Sequence, residues 1–105
     1  MQTITAIELF NQLDPAQFAI IDVRETGEYA ASAIAQSINI PLSRLCPAML
    51  SDHLKPRTIV VCAVGERSAV AIEMMQSQFP AITFVNLTGG IIQWMREGLP
   101  TQTTV

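Results

Sequence analysis

Residues 58–79 read TIVVCAVGERSAVAIEMMQSQF. Thr58 to Cys62, set between Pro56 and Gly65, is a continuous β-branched run of the kind found in strands buried on both faces. Arg67 to Phe79 reads as a helix, with apolar Val70, Ile72, Met74, Met75 and Phe79 around its buried side and Pro80 as its stop. A strand passing through a short loop into a helix is the unit of an α/β fold built on a largely parallel sheet.

The same alternation continues outward in both directions. Upstream, Ile4 belongs to a short first strand, and Ala6 to Leu13 reads as a helix with Thr5 as N-cap and Glu8 three residues later. Asp14-Pro15 stops that helix, and Phe18 to Val23 (FAIIDV) is a second buried strand. Glu25 to Ala31 is an acid-started helical turn, Ser37 to Ile40 a short strand ended by Pro41, and Ser43 to about Leu54 a helix with Pro47 in or breaking its first turn. Downstream, Ile82 to Val85 forms the last strand. Gly89-Gly90 opens a helix through Met95, and Gly98 caps it with Pro100 beyond. The polar tail TQTTV reads as frayed. Five strands with helices between them predict a sheet covered on both faces, a three-layer α/β/α arrangement spanning residues 1–105 as one domain.

Composition narrows the function classes. The 105 residues are 50% hydrophobic and 14% charged with a net charge of -3, too apolar and too weakly charged for a disordered chain. No apolar run approaches the ~18 residues of a membrane span, and MQTITAIELF lacks the basic start of a secretory signal. Six Lys+Arg against nine Asp+Glu, with no basic run, argue against a nucleic-acid surface. Two cysteines in such a chain predict reduced thiols and a cytoplasmic setting.

In open α/β sheets ligands bind beyond the carboxyl ends of the strands, which selects the turn after Val61. There Cys62-Ala63-Val64-Gly65-Glu66-Arg67-Ser68 places a thiol at a strand end, a glycine within the loop and a helix directly after. Successive amides of such a loop can converge on one point, and the helix start adds partial positive charge. A sulfur there is favoured as thiolate, the nucleophilic form. Arg67 adds a full positive charge and can answer Glu66 directly. The chemistry requires the loop nitrogens to face inward and the sulfur to be reachable from water.

The loop CAVGERS resembles the active-site loop of the rhodanese-like sulfurtransferases, Cys-x-x-Gly-x-Arg-Ser/Thr. Asp22-Val23-Arg24-Glu25 followed by Glu28-Tyr29, then Ile38 to Leu42 (INIPL), then Leu87 to Pro100 (LTGGIIQWMREGLP) are similar to further stretches of that family, in its order. The resemblance implies a rhodanese-like domain of five parallel strands flanked by helices. It also implies a cofactor-free cycle in which Cys62 takes a sulfane sulfur from thiosulfate, a polysulfide or a protein persulfide. Cys62 then passes that sulfur to cyanide, a small thiol or a protein cysteine, with the amides of Ala63 through Ser68 stabilising the sulfur anion. Related phosphatases carry Cys-x5-Arg, whereas four residues separate Cys62 from Arg67, which favours sulfur transfer over phosphate or arsenate chemistry.

Three departures keep a second class open, a rhodanese-like interaction or regulatory module without turnover. Ala63 stands where many relatives have arginine, Glu66 where the position is often neutral, and Ser32 to Gln36 replaces a Gly-His-Ile-Pro-Gly stretch. The Ala63 and Glu66 changes predict poor recruitment of dianionic thiosulfate. Asp22 and Arg24, at a strand end on the ligand side, read as structural support for the site, with a catalytic role as the alternative. Cys46 reads as structural, with a role as resolving thiol as the alternative, and the spacing gives no CxxC couple. His53, the single histidine, reads as a solvated surface residue, and no metal site forms around it. Trp94, Met74 and Met75 read as core packing, and Gly89-Gly90 as a tight turn.

Overall fold

The computed structural model describes residues 1–12, 14 and 16–103. Its elements are β1 (Gln2–Ile4), α1 (Ala6–Gln12), β2 (Phe18–Asp22), α2 (Thr26–Ala31), β3 (Ile38–Asn39), α3 (Pro47–Leu50), β4 (Arg57–Val61), α4 (Glu66–Gln76), β5 (Thr83–Leu87) and α5 (Gly90–Arg96), with one 3-10 turn at Leu42–Arg44. The strands form one sheet in the order β1-β5-β4-β2-β3, with every neighbouring pair parallel. The five-stranded parallel α/β architecture expected from the alternation is the one observed.

Both faces of the sheet are covered, so the central strands β2, β4 and β5 each feed two cores. On one face Leu9 of α1 and Ile91 and Trp94 of α5 pack on Ile20, Ile59, Val61, Val85 and Leu87. On the other, Leu50 of α3 and Ala71, Ile72 and Met75 of α4 pack on Ile21, Val60 and Phe84. Full burial of such side chains contributes ~1.5–3 kcal/mol each, which explains why β4, central and apolar on both faces, reads as an uninterrupted run.

The register aligns the carboxyl ends of three strands. Asp22 pairs with Val61, and Val60 pairs with Asn86. Asp22, Cys62 and Asn86 therefore emerge at the same end of the sheet.

Several boundaries differ from expectation, for local reasons. The helix expected over 43–54 is a 3-10 turn and the four-residue α3, because Cys46 is extended (φ -148, ψ 157) ahead of Pro47, which sits in the first turn. Helix α4 starts at Glu66, one residue early, because Gly65 at φ +105 is its N-cap, and it ends at Gln76. Its buried face is Ser68, Ala71, Ile72 and Met75, spaced i, i+3, i+4, i+7. Val70 and Met74, expected on that face, are half exposed. Strand β5 runs on to Leu87 rather than ending at Val85, which brings Asn86 into the sheet.

The capping box at Thr5 is present: its amide donates to Glu8 Oε1 at 2.9 Å, and the Glu8 amide to Thr5 Oγ1 at 3.2 Å. Leu13 and the Pro15 stop lie outside the described residues, as do Thr104 and Val105 of the tail. The rest of that tail is not frayed. Ala33 and Gln102 form an antiparallel bridge with both amide bonds, at 2.9 and 2.8 Å. His53 is partly exposed.

Candidate functional site

Cys62 follows β4 directly, and its loop returns at once into α4. The Gly65 amide donates to Cys62 Sγ at 3.0 Å, which its left-handed backbone at φ +105 permits. Ser68, in the first turn of α4 and fully buried, places Oγ 3.3 Å from the sulfur. Burial pushes the Cys62 thiol up, but the Ser68 hydroxyl and the amides of Ser68, Gly65 and Val64 outweigh it, and the thiol is held below its ordinary value of 9.0. Of the amides from Ala63 to Ser68 expected to face the sulfur, those of Val64, Gly65 and Ser68 do so. Cys62 is only 1% exposed, so the expected access from water is not present at rest. Val64 and Glu66, in contrast, are exposed on the loop's outer rim.

The back of the loop is tied down through its carbonyls. Ile91 N donates to Cys62 O at 2.9 Å, and Ile92 N to Ala63 O at 3.1 Å. This contact explains the second glycine of the Gly89-Gly90 pair better than a turn does. A Cβ on Gly90 would lie 2.4 Å from both carbonyl oxygens, and its φ of +60 disfavours a side chain as well. Asn86 Nδ2 donates to the Gly65 carbonyl at 3.0 Å and its Oδ1 accepts from Ser68 Oγ at 2.5 Å. Sequence reading passed over Asn86. Its signal was there, a single amide side chain inside the apolar run from Ile82 to Leu87.

Arg67 does not answer Glu66. It forms a two-pronged pair with Glu28 of α2, Nη1 to Oε1 at 2.7 Å and Nη2 to Oε2 at 2.9 Å. That fork matches the planar carboxylate. The Arg67 guanidinium holds the Glu28 carboxyl at about 2, against partial burial that would raise it. Glu28 in turn raises Arg67. The loop's one cation is therefore already neutralised, and Glu66 points outward without it.

Asp22 and Arg24 form a buried pair beside this loop. Arg24 Nε reaches both Asp22 oxygens at 3.1 Å and Nη2 reaches Oδ2 at 2.9 Å. The same guanidinium donates to the carbonyls of Ser32 at 2.6 Å and Glu28 at 3.3 Å. Asn39 Nδ2 donates to the carbonyls of Asp22 and Arg24 at 3.0 and 2.9 Å. The pair joins β2, α2 and β3, with its charges enclosed and its donors satisfied. Within the connection that departs from Gly-His-Ile-Pro-Gly, Gln36 takes the left-handed conformation at φ +71 in the place of the final glycine.

Cys46 is an exposed free thiol in the connection before Pro47. It borders an apolar groove of about 310 Å³ with Leu45, Leu50, Met74, Met75 and Phe79. No helix among the described residues is long and apolar enough to cross a membrane.

Comparison with known proteins agrees with this geometry. Residues 5–97 match the family model described as Rhodanese-like domain. Over 89 residues the chain is 35% identical to a protein named Sulfurtransferase from Allochromatium vinosum, covering 83% of this chain and 80% of that one. It is 33% identical over 85 residues to protein slr1261 of Synechocystis, covering 81% of this chain, and it spans about half (47%) of that relative's length. The crystal structure of a rhodanese-related protein from Thermoplasma volcanium superposes with a TM-score of 0.82 at 34% identity, covering 97% of this chain and 98% of that one. The loop after β4, the glycine pair behind it and the matched span together place this chain in the rhodanese-like domain family.

Proposed function

We propose that this domain is a sulfurtransferase carrying sulfane sulfur as a persulfide on Cys62. The observation that carries the reading is the amide and hydroxyl environment of the Cys62 sulfur, with Gly65 N at 3.0 Å and Ser68 Oγ at 3.3 Å. The Allochromatium relative's name supports the same reaction class.

In the first half-reaction the Cys62 thiolate attacks the outer sulfur of the donor. A bond forms between Sγ and that sulfur, while the donor's own bond to it breaks and the donor leaves with the electron pair. In the second, an acceptor nucleophile such as a thiolate or cyanide attacks the outer sulfur and releases Cys62 as thiolate. Neither step consumes an oxidant or a cofactor, and one nucleophile divides one transfer between two easier steps. Ala63, Val64, Gly65, Glu66, Arg67 and Ser68 make up the substrate-binding loop, with Glu66 on its exposed rim. Of these, the amides of Val64, Gly65 and Ser68 receive the anion. Asp22 and Arg24 keep the loop's neighbours in place. With Arg67 occupied by Glu28, no unpaired cation of the loop recruits a dianion, so a small-molecule or protein persulfide suits the site better than dianionic thiosulfate.

Intact-mass analysis of a Cys46→Ser form after exposure to thiosulfate, polysulfide and a small persulfide tests this. One added sulfur mass, lost in Cys62→Ser and discharged by a thiol acceptor, is the expected result. A Cys62 left unmodified by every donor removes the proposal.

One observation favours a second reading, an interaction module without turnover: the 1% exposure of Cys62. Such a module would leave the thiol unmodified in that experiment and would bind its partner unchanged by Cys62→Ser.

A further inference from the structure

The Ser68 hydroxyl has one hydrogen and two acceptors in reach, Asn86 Oδ1 at 2.5 Å and Cys62 Sγ at 3.3 Å. The orientation of the Asn86 amide is fixed by its other end. Nδ2 donates to the Gly65 carbonyl at 3.0 Å and faces Met1 Sδ at 3.9 Å, both acceptors, so Oδ1 is the atom turned to Ser68. An amide oxygen accepts and cannot donate. The Ser68 hydrogen therefore lies toward Asn86 while the sulfur is protonated, and the thiol donates to Oγ.

Removing the sulfur's proton reverses this chain. A sulfur anion facing an oxygen lone pair is unfavourable, so the hydroxyl turns its hydrogen to sulfur. Asn86 Oδ1, in a residue 9% exposed on the strand face it shares with Phe84, then loses that donor in a buried place.

We propose that Asn86 is a positioning residue that competes with the Cys62 sulfur for the single hydrogen of Ser68, and so governs how readily that sulfur becomes an anion. The charged groups around the sulfur act on it through space and not through the Ser68 hydrogen. They are the Arg67–Glu28 pair from α4 and α2, Glu66 on the loop's exposed rim and the Asp22–Arg24 pair after β2. β5 and the first turn of α5 contribute no charged residue. The inference concerns the thiol of the site proposed above but reads only its acidity, so it can fail while sulfur transfer holds, and the reverse.

The test is the pH dependence of Cys62 alkylation in a Cys46→Ser background. Asn86→Ala and the near-isosteric Asn86→Leu should each lower the midpoint by about 0.5–1 pH unit, the equivalent of one hydrogen bond, and Ser68→Ala should raise it. Adding Asn86→Ala to Ser68→Ala should then move nothing further. Were Asn86 acting only by holding the Gly65 carbonyl, its substitution would shift the midpoint equally with and without Ser68. That result, or an unchanged or raised midpoint in both single Asn86 variants, overturns the proposal. In the unsubstituted protein the carboxamide carbon of Asn86, followed by NMR, should titrate together with Cys62. A flat Asn86 signal across that midpoint overturns the proposal without any substitution at Asn86.

Discussion

A thiol with an amide at 3.0 Å, a hydroxyl at 3.3 Å and almost no water contact is activated and screened at once. Screening predicts size selection. Relative to exposed Cys46, Cys62 should react with iodoacetamide at least about tenfold faster than with a bulky maleimide, a difference of ~1.4 kcal/mol in local opening. Equal normalised rates would show that the sulfur is open at rest. Gln36 supplies a second residue-scale expectation. At φ +71 a side chain is strained, and Gln36→Gly should raise stability by about 1 kcal/mol in chemical denaturation, with no loss of thiol reactivity. Much at this scale was legible in the sequence, because Cys62, Gly65 and Ser68 lie within seven consecutive residues. The partner of Arg67 was not, since Glu28 is 39 positions away while Glu66 is adjacent in the chain. Only the turn of α2 toward α4 decides between the two carboxylates.

At the scale of elements, α5 holds the loop through Gly90. Gly90→Ala should cost at least ~2–3 kcal/mol, because a methyl group cannot share space with the carbonyls of Cys62 and Ala63. Its Cys62 should also alkylate at a higher midpoint, since the loop is displaced. A variant of native stability would show that α5 can retreat freely. The Arg67–Glu28 pair ties α2 to α4 in a pH-dependent way. Glu28 titrates at about 2 in the folded chain against an ordinary 4.5, so its contribution is complete above pH 4.5 and is lost as pH falls toward 2. The unsubstituted protein should therefore lose stability more steeply than Glu28→Gln across that interval. Parallel slopes in denaturation at several pH values would contradict the pairing. The numbers of strands and helices were readable from the alternation of apolar runs and breakers, while the strand order came only with the structure. The long helix expected after Ser43 was not real, because propensity over 43–54 gave too little weight to the extended residue that Pro47 demands before it.

On the scale of the whole molecule, residues 100–103 close the fold instead of trailing from it. Gln102 bridges Ala33, Thr103 Oγ1 donates to Ala31 O at 3.3 Å, and Trp94 Nε1 donates to Pro100 O at 2.8 Å. Deleting residues 101–105 should lower stability by about 1–2 kcal/mol through the lost bridge. It should also loosen the 31–34 connection, measurable as faster amide exchange at Ala33; unchanged exchange there would show that the bridge holds nothing. A polar pentapeptide gives no local sign of such a role, because its partner is a backbone edge rather than a side-chain pattern.

The anchoring of the loop's carbonyls carries a consequence for its nitrogens. Every peptide unit is one conjugated group, so an oxygen that accepts a hydrogen bond leaves the attached nitrogen more strongly polarised. Of the amides that face the sulfur, Val64 N–H belongs to the unit that carries the Ala63 oxygen, and Ile92 N in the opening turn of α5 grips that oxygen. The far side of the sheet's carboxyl edge thus lends electron-withdrawing strength to the near side, and disturbing the opening turn of α5 should register as a change in sulfur basicity with no atom of the rim touched.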